Sequence, residues 1–336
     1  MSDSALQHLC VTHSPLVTHI FQAAMRHLNV PADSVSSISR RSVKPAGKGL
    51  CLDELSDELE SSYKRFHRTA HSRCRAEIQR EVRRINSGRE FIAYLPHLQR
   101  ALYQEIAAHP DCRGYRFIEE GFTSMDWQAR QTVKMKFGKR LQNSLRTWWT
   151  DSAFDARRPM FDCSHPKFCG AVSISPHAFT GMPGVVNVSA MVPRYPANGG
   201  LGNLYVVLDT SYLHREIRWE AYRSAVVAAI AREASGDMPV RVKFHFADES
   251  AAARFESLVA DLPGQPLTLL EPSFSIEEKL SAADRVLFAV SSLGYYAAIF
   301  GANVKCFAPD IAGFELGQWV RRGLLPPNFA EIAGLA

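Results

Sequence analysis

Two places in this 336-residue chain gather side chains that could do chemistry. The first is Glu119-Glu120-Gly121, two adjacent carboxylates ahead of a glycine. Like charges this close push at least one pKa upward, and a raised carboxylate is a good general base near neutral pH. The second is Ser291-Ser292, followed by Leu293 to Phe300, a run of helical composition. Hydroxyls and helix N-terminal N–H groups can together hold a phosphate. Each place has a plainer reading as well. Acidic pairs before glycine occur in ordinary turns, and Ser292 alone would serve as a helix N-cap.

The surrounding elements give these residues their meaning. Val286 to Val290 is a short, uncharged, β-favouring run, Gly301 can close the helix, and Val304 to Phe307 reads as the next strand. A strand–turn–helix–strand unit implies a parallel sheet. Tyr115 to Ile118 is a strand that runs directly into Glu119. Both places therefore fall at the carboxyl end of a strand, where open α/β sheets bind ligands. Val286 to Val304 carries no charge and approaches the ~20 residues of a membrane span. Two serines, two glycines and an asparagine interrupt it, so buried sheet and helix is the expectation.

The rest of the chain alternates in the same way. Leu9 to Thr12 is a strand, His13-Ser14-Pro15-Leu16 breaks it, and Val17 to Leu28 is a helix. Ser34 to Lys48 reads as a basic surface loop, and Asp53 to Ile85 as one or two helices stopped by Asn86-Ser87-Gly88. Glu90 to Tyr94 is a strand and Leu98 to Ala108 a helix. Pro183 to Gly202, rich in proline and glycine, reads as a linker. Beyond it come a strand at Leu204 to Leu208, a helix at Arg218 to Glu233, and a strand at Arg241 to Phe246 containing His245. A helix at Glu249 to Ala260, a strand at Leu267 to Leu270 and a short helix at Ile276 to Ala282 complete the pattern. The fold class is α/β, with two Rossmann-like domains facing a cleft. Their expected bounds are 1–190 and 200–310, with a tail at 311–336 packing back on the first domain.

Composition narrows the class. Apolar residues make up 46% and charged residues 22%, ordinary values for a soluble globular chain. The net charge of +5 fits anionic ligands or peripheral contact with an anionic inner membrane surface. Seven cysteines without a repeating spacing, and no signal-peptide pattern at Met-Ser-Asp-Ser-Ala, imply reduced thiols and a cytoplasmic place. Lys134, Lys136, Lys139, Arg140 and Arg146 cluster near Trp148 and Trp149 without a nucleic-acid-binding motif. A solvated helix face or a rim for an anionic substrate accounts for them. Cys163, His165 and Cys169 lack the second ligand pair that a zinc site would need.

Taken in order, four features resemble the bacterial sialyltransferases and polysialyltransferases that build capsule and lipooligosaccharide. They are the acidic–acidic–Gly motif at Glu119-Glu120-Gly121, Lys243-Phe244-His245-Phe246 in place of a His-Pro motif, Ser275-Ile276-Glu277, and the pair Ser291-Ser292. His13-Ser14-Pro15-Leu16 resembles the family's first turn. Phe246 stands where that family has proline, and the true His-Pro pairs, His109-Pro110 and His165-Pro166, lie in the first half. The resemblance implies a GT-B glycosyltransferase with CMP-sialic acid as donor substrate, no metal and no further cofactor, inverting at the sugar carbon. The first domain would face the glycan acceptor and the second would bind the nucleotide. Glu119 would be the base, with Glu120 orienting or replacing it. His245 and the two serines would hold the CMP phosphate, and Glu277 the ribose. Lys243, Glu277, Ser291, Ser292 and Gly121 make up the implied donor-binding set. Another CMP-nonulosonate, CMP-Kdo or a UDP-sugar remains open as donor, as does a non-catalytic nucleotide- or glycan-binding role.

Overall fold

Gln7–Thr12 forms the first strand, β1, in which Leu9, Cys10 and Val11 are wholly excluded from water. A strand apolar on both faces belongs in a parallel sheet covered by helices. The computed structural model describes residues 6–40, 48–131, 135–192, 202–213, 217–235, 238–322 and 325–335. The chain divides into two units, Met1–Val192 and Pro193–Ala336.

In the first unit β1 leads to α1 (Pro15–His27), β2 (Val35–Ser39), β3 (Lys48–Cys51), α2 (Asp53–Lys64) and α3 (Arg68–Ile85). Then come β4 (Phe91–Leu95), α4 (Ala101–Ala108), β5 (Cys112–Ile118), α5 (Phe122–Met125), α6 (Phe137–Thr150), β6 (Phe168–Ser173) and β7 (Val185–Asn187). The strands pair in parallel in the order β3-β2-β1-β4-β5-β6-β7. The order reverses between β1 and β4, the kind of position at which open parallel sheets bind ligands. The turn out of β1 is built tightly. Ser14 caps α1 by accepting from the Val17 N–H at 3.3 Å, and Pro15 takes the first helical position, where no N–H is needed.

The second unit repeats the plan. It comprises β8 (Leu204–Val207), α7 (Trp219–Glu233), β9 (Val240–Lys243), α8 (Ala251–Asp261) and β10 (Leu267–Leu269). β11 (Arg285–Phe288), α9 (Ser292–Ile299), β12 (Asn303–Cys306), α10 (Leu316–Arg321) and α11 (Phe329–Ile332) follow. Its parallel sheet has the order β10-β9-β8-β11-β12, reversing between β8 and β11. The stretch Val286 to Val304 is thus strand, helix and the edge of the next strand, as its interruptions predict. Among the described residues no helix is long and apolar enough to cross a membrane.

Four expectations need correction. Ser34 to Lys48 contains β2 rather than being all loop, and Ser36, Ser37 and Ser39 are buried. Polar composition hid this strand, whose hydroxyls find partners elsewhere in the unit. Ser36 Oγ, for example, donates to Asn86 Oδ1 at 2.6 Å. The Pro183 to Gly202 linker contains β7, which pairs with β6 from Ala171↔Val185 to Ser173↔Asn187. Ile276 to Ala282 forms turns, not a helix; buried Ile276 and Leu280 imitate helical spacing. β9 ends at Lys243, so Phe244, His245 and Phe246 lie beyond the strand. Within the second unit, which includes residues 311–336, the buried Trp319 ring lies 5.4 Å from that of Phe314.

Close approach of α9 to β11 depends on Gly294, because a Cβ there would overlap the buried Phe288 ring. Overpacking of this kind costs about 1–3 kcal/mol. Gly294→Ala is therefore expected to lower the melting temperature by several degrees. An unchanged melting curve would mean that α9 does not lie this close to the sheet.

Candidate active site

Three side chains meet because three neighbouring strands end at one edge. His13 follows β1, His97 lies just past β4, and Glu120 lies just past β5. Glu120 Oε2 is 3.2 Å from His13 Nε2, and Oε1 is 3.8 Å from His97 Nε2. Thr123 Oγ1 donates to Oε1 at 3.4 Å. The Glu120 side chain is only 7% exposed. Burial pushes its carboxyl pKa up, but the two histidines and Thr123 outweigh burial and hold it below its ordinary value of 4.5. Glu120 is therefore an ionised carboxylate at neutral pH, nearly closed off from water.

The neighbouring carboxylate has a different setting. Glu119 is wholly buried, and its Oε2 accepts from the N–H groups of Ile174 at 2.7 Å and Ser175 at 3.0 Å. Successive residues leaving a strand point to opposite sides, so Glu119 ties β5 to the loop after β6 while Glu120 meets the histidines. The expectation that pairing raises one of the two pKa values does not hold for Glu120, because histidines rather than Glu119 surround it. Gly121 turns the chain into α5 at φ 120°, a conformation that favours glycine.

A cavity of about 450 Å³ opens beside His97, and Tyr63, Lys64, Arg100, Lys139 and Arg146 are among its walls. Its one carboxylate, Glu60, is engaged by Arg100 at 3.1 Å. The remaining lysines and Arg146 give the cavity a positive balance that suits an anionic ligand. Of the basic cluster read from the sequence, Lys134 lies outside the described residues, while Lys139 and Arg146 line this cavity.

In the second unit the switch point is organised by a residue that sequence reasoning missed. Asp209, just past β8, is buried and accepts through Oδ1 from the Ser211 N–H at 2.8 Å and from the Ser211 hydroxyl. Its Oδ2 accepts from the Tyr222 hydroxyl at 2.9 Å and the Val290 N–H at 3.1 Å. Asp209 thereby fixes the loop out of β11 against the end of β8. Ser291 follows at once and is the N-cap of α9, its Oγ accepting from the Leu293 N–H at 3.2 Å. Ser292 is the first helical residue, so the cap is Ser291 and not Ser292.

His245 Nδ1 accepts from the Ala247 N–H at 3.2 Å, which places the proton of the neutral ring on Nε2 and makes that atom a donor. Phe246 is 62% exposed, its ring 4.2 Å from the imidazole. Lys243 Nζ donates to the Phe274 carbonyl. Burial lowers its pKa, opposed by the charge of Glu277. Ser275 Oγ donates to Glu277 Oε2 at 3.3 Å. Lys243 and Glu277 thus belong to one cluster around residues 274–277, and Ser291 to another around Asp209. His13, His97 and Asp209 were legible by the rule that picked out Glu120, since each directly follows the carboxyl end of a strand. Cys163 Sγ and Cys169 Sγ instead donate to the carbonyls of Phe161 and Tyr115. Among the described residues no group of three or more His, Cys, Asp or Glu could hold a metal ion.

A carboxyl held below its ordinary pKa binds a proton less readily folded than unfolded. Its stabilisation is complete above the unfolded value and is lost as pH falls through the folded one. Glu120→Gln is therefore expected to melt below the parent at neutral pH, with the gap narrowing as pH drops below about 4.5. Melting curves of both proteins from neutral to acid pH measure this. A gap independent of pH would mean that Glu120 is not held as an ion.

No family model matches the chain, and no curated protein matches it. Among solved structures it is similar to a Photobacterium sp. 2,6-sialyltransferase in complex with CMP and lactose, at 10% identity and TM-score 0.47, over 98% of this chain and 77% of that one. It is also similar to the UDP-GlcNAc 2-epimerase of Methanocaldococcus jannaschii, at 10% identity and TM-score 0.45, over 90% and 83% of the two chains. A third is the E. coli ADP-heptose LPS heptosyltransferase II, at 10% identity and TM-score 0.43, over 90% and 84%. At such scores the likeness carries no argument about activity.

Proposed function

We propose that this chain is a GT-B-type glycosyltransferase that moves sialic acid from CMP-sialic acid to a glycan hydroxyl, with inversion and without a metal. The observation that carries the reading is the buried, ionised Glu120 between His13 and His97 at the carboxyl edge of a parallel sheet. A base in that place, and a helix N-terminus capped by Ser291 at the matching place in the second unit, are the two parts such a transfer needs. The order of the sequence motifs supports sialic acid as the sugar.

The acceptor hydroxyl oxygen attacks the anomeric carbon of the donor as the bond from that carbon to the CMP phosphate breaks. The hydroxyl proton passes to Glu120, which His13 and His97 hold in place. We move the role of base from Glu119 to Glu120 because both N–H bonds to Glu119 Oε2 commit it to the β6 loop. On the departing side, the His245 Nε2–H and the N-terminus of α9 at Ser291 and Ser292 stabilise the charge that develops on the phosphate. Lys243 and Glu277 form a separate cluster, with Glu277 assigned to the ribose hydroxyls. CMP leaves with one phosphate and the chain contains no Asp-x-Asp, so transfer is expected to persist in excess chelator.

Incubation with CMP-sialic acid and a panel of galactosides and oligosialic acids tests the proposal, with CMP release as the readout. Acceptor-dependent release is expected. Release from a UDP-sugar or CMP-Kdo alone would move the donor assignment, and no release from any donor would leave a binding protein.

Glu120→Gln should lower transfer by roughly 10²–10⁴-fold while remaining folded at neutral pH. Glu119→Gln should instead lower the melting temperature and keep the rate per folded molecule. The reverse pattern would return the base to Glu119. Ser291→Ala with Ser292→Ala should weaken CMP binding, because each charge-assisted hydrogen bond lost is worth about 1.5–3 kcal/mol. Calorimetry showing unchanged CMP affinity alongside a lowered melting temperature would leave Ser291 as a helix cap only.

A further inference from the structure

Helix α6 is amphipathic, but its polar side faces the protein and its apolar side faces out. Phe137, Leu141, Leu145 and Trp148 recur at intervals of four, four and three, which places them on one stripe. They are 82%, 53%, 49% and 75% exposed. The helix residues that are buried are Asn143 and Thr150. An ordinary surface helix shows the opposite arrangement. The polar side has local work. Thr150 Oγ1 donates to the Arg146 carbonyl at 2.7 Å, the Tyr63 hydroxyl donates to the Asn143 carbonyl at 3.2 Å, and Lys139 and Arg146 line the cavity beside His97.

The apolar stripe continues onto the turn between α2 and α3. Trp149 Nε1 donates to the Phe66 carbonyl at 3.1 Å, and Phe66 is itself exposed. The surroundings are cationic. Lys136, Lys139 and Arg140 are exposed at the start of α6, and Arg65 and Arg68 flank Phe66. From Trp127 to Thr150 the sequence contains six cations, Arg130, Lys134, Lys136, Lys139, Arg140 and Arg146, and no Asp or Glu.

We infer that α6 lies in the surface of an anionic lipid bilayer, with Phe137, Leu141, Leu145 and Trp148 among the acyl chains and the flanking lysines and arginines at the headgroups. Charge decides for lipid over a second copy of the chain, because two such faces would bring like charges together. A continuous stripe of large apolar side chains with a basic border is the pattern of helices that lie in the membrane plane. Tryptophan favours that boundary, since its ring is apolar and its N–H polar. Fourteen residues make a helix about 21 Å long, enough for four side chains to dip together without spanning. The inference stands apart from the reaction proposed above and needs no donor or acceptor to test.

The full chain is mixed with vesicles of phosphatidylcholine alone or of phosphatidylcholine with phosphatidylglycerol, and bound protein is measured by sedimentation. Binding to the phosphatidylglycerol vesicles is expected, weakened by salt and accompanied by a blue shift of tryptophan emission. Phe137→Ser with Trp148→Ser should reduce partitioning at least ~10-fold with the melting temperature unchanged, since both side chains are exposed. Lys136→Glu with Arg140→Glu should reduce it at least ~10-fold on the anionic vesicles. Failure of the parent protein to bind, or unchanged binding of the serine variant, would overturn the inference. So would a dimer that the serine variant dissolves in the absence of vesicle binding, because a second copy would then cover the stripe.

Discussion

A carboxylate shut away from water stays ionised only where neighbouring charges and donors replace the water it has lost. Glu120 meets that condition through His13 and His97. Neither histidine is near Glu120 in sequence. They arrive beside it because β1, β4 and β5 are parallel neighbours and all end at the same edge. The sheet order therefore determines the chemistry here. An antiparallel β4, or a β5 on the far side of β2, would leave Glu120 buried without its histidine partners. Such a group would shift its pKa upward and neutralise instead.

The second unit applies the same constraint to a different end. Asp209 is buried at the end of β8 and is satisfied by two hydroxyls and two N–H groups, among them the Val290 N–H that introduces Ser291. Its role is to hold the start of α9, whose close seat on β11 requires Gly294. In each unit a buried carboxylate stands at the carboxyl edge of the parallel sheet. In the first it is left facing titratable partners, and in the second it is saturated by neutral donors. In the proposed reaction that contrast separates the group given the role of base from one that holds the start of α9.

How much of this could be read in the sequence follows the same physics. Apolar runs such as Leu9–Val11 and Val286–Phe288 mark buried parallel strands, and both were legible. β2 was not, because Ser36, Ser37 and Ser39 make a buried strand look like a loop until the partner of each hydroxyl is known. β7 was lost among prolines and glycines because three residues give no periodicity. The acidic pair was visible, but the division of roles between Glu119 and Glu120 depends on which way each side chain leaves β5. The histidines that decide it are 107 and 23 residues upstream of Glu120. The inversion of α6 was hidden for a related reason. Spacing reveals an apolar stripe, and nothing in spacing says whether that stripe faces the protein or away from it.

The dependence of transfer rate on pH tests the central claim most directly. If Glu120 is the base, kcat/KM for the acceptor should stay level down to weakly acidic pH and fall only below about 4.5, through a single ionisation that the Glu120→Gln variant lacks. An acid limb centred near the ordinary histidine value of about 6.5, or one that persists unchanged in the variant, would assign the proton transfer to another group and contradict the account.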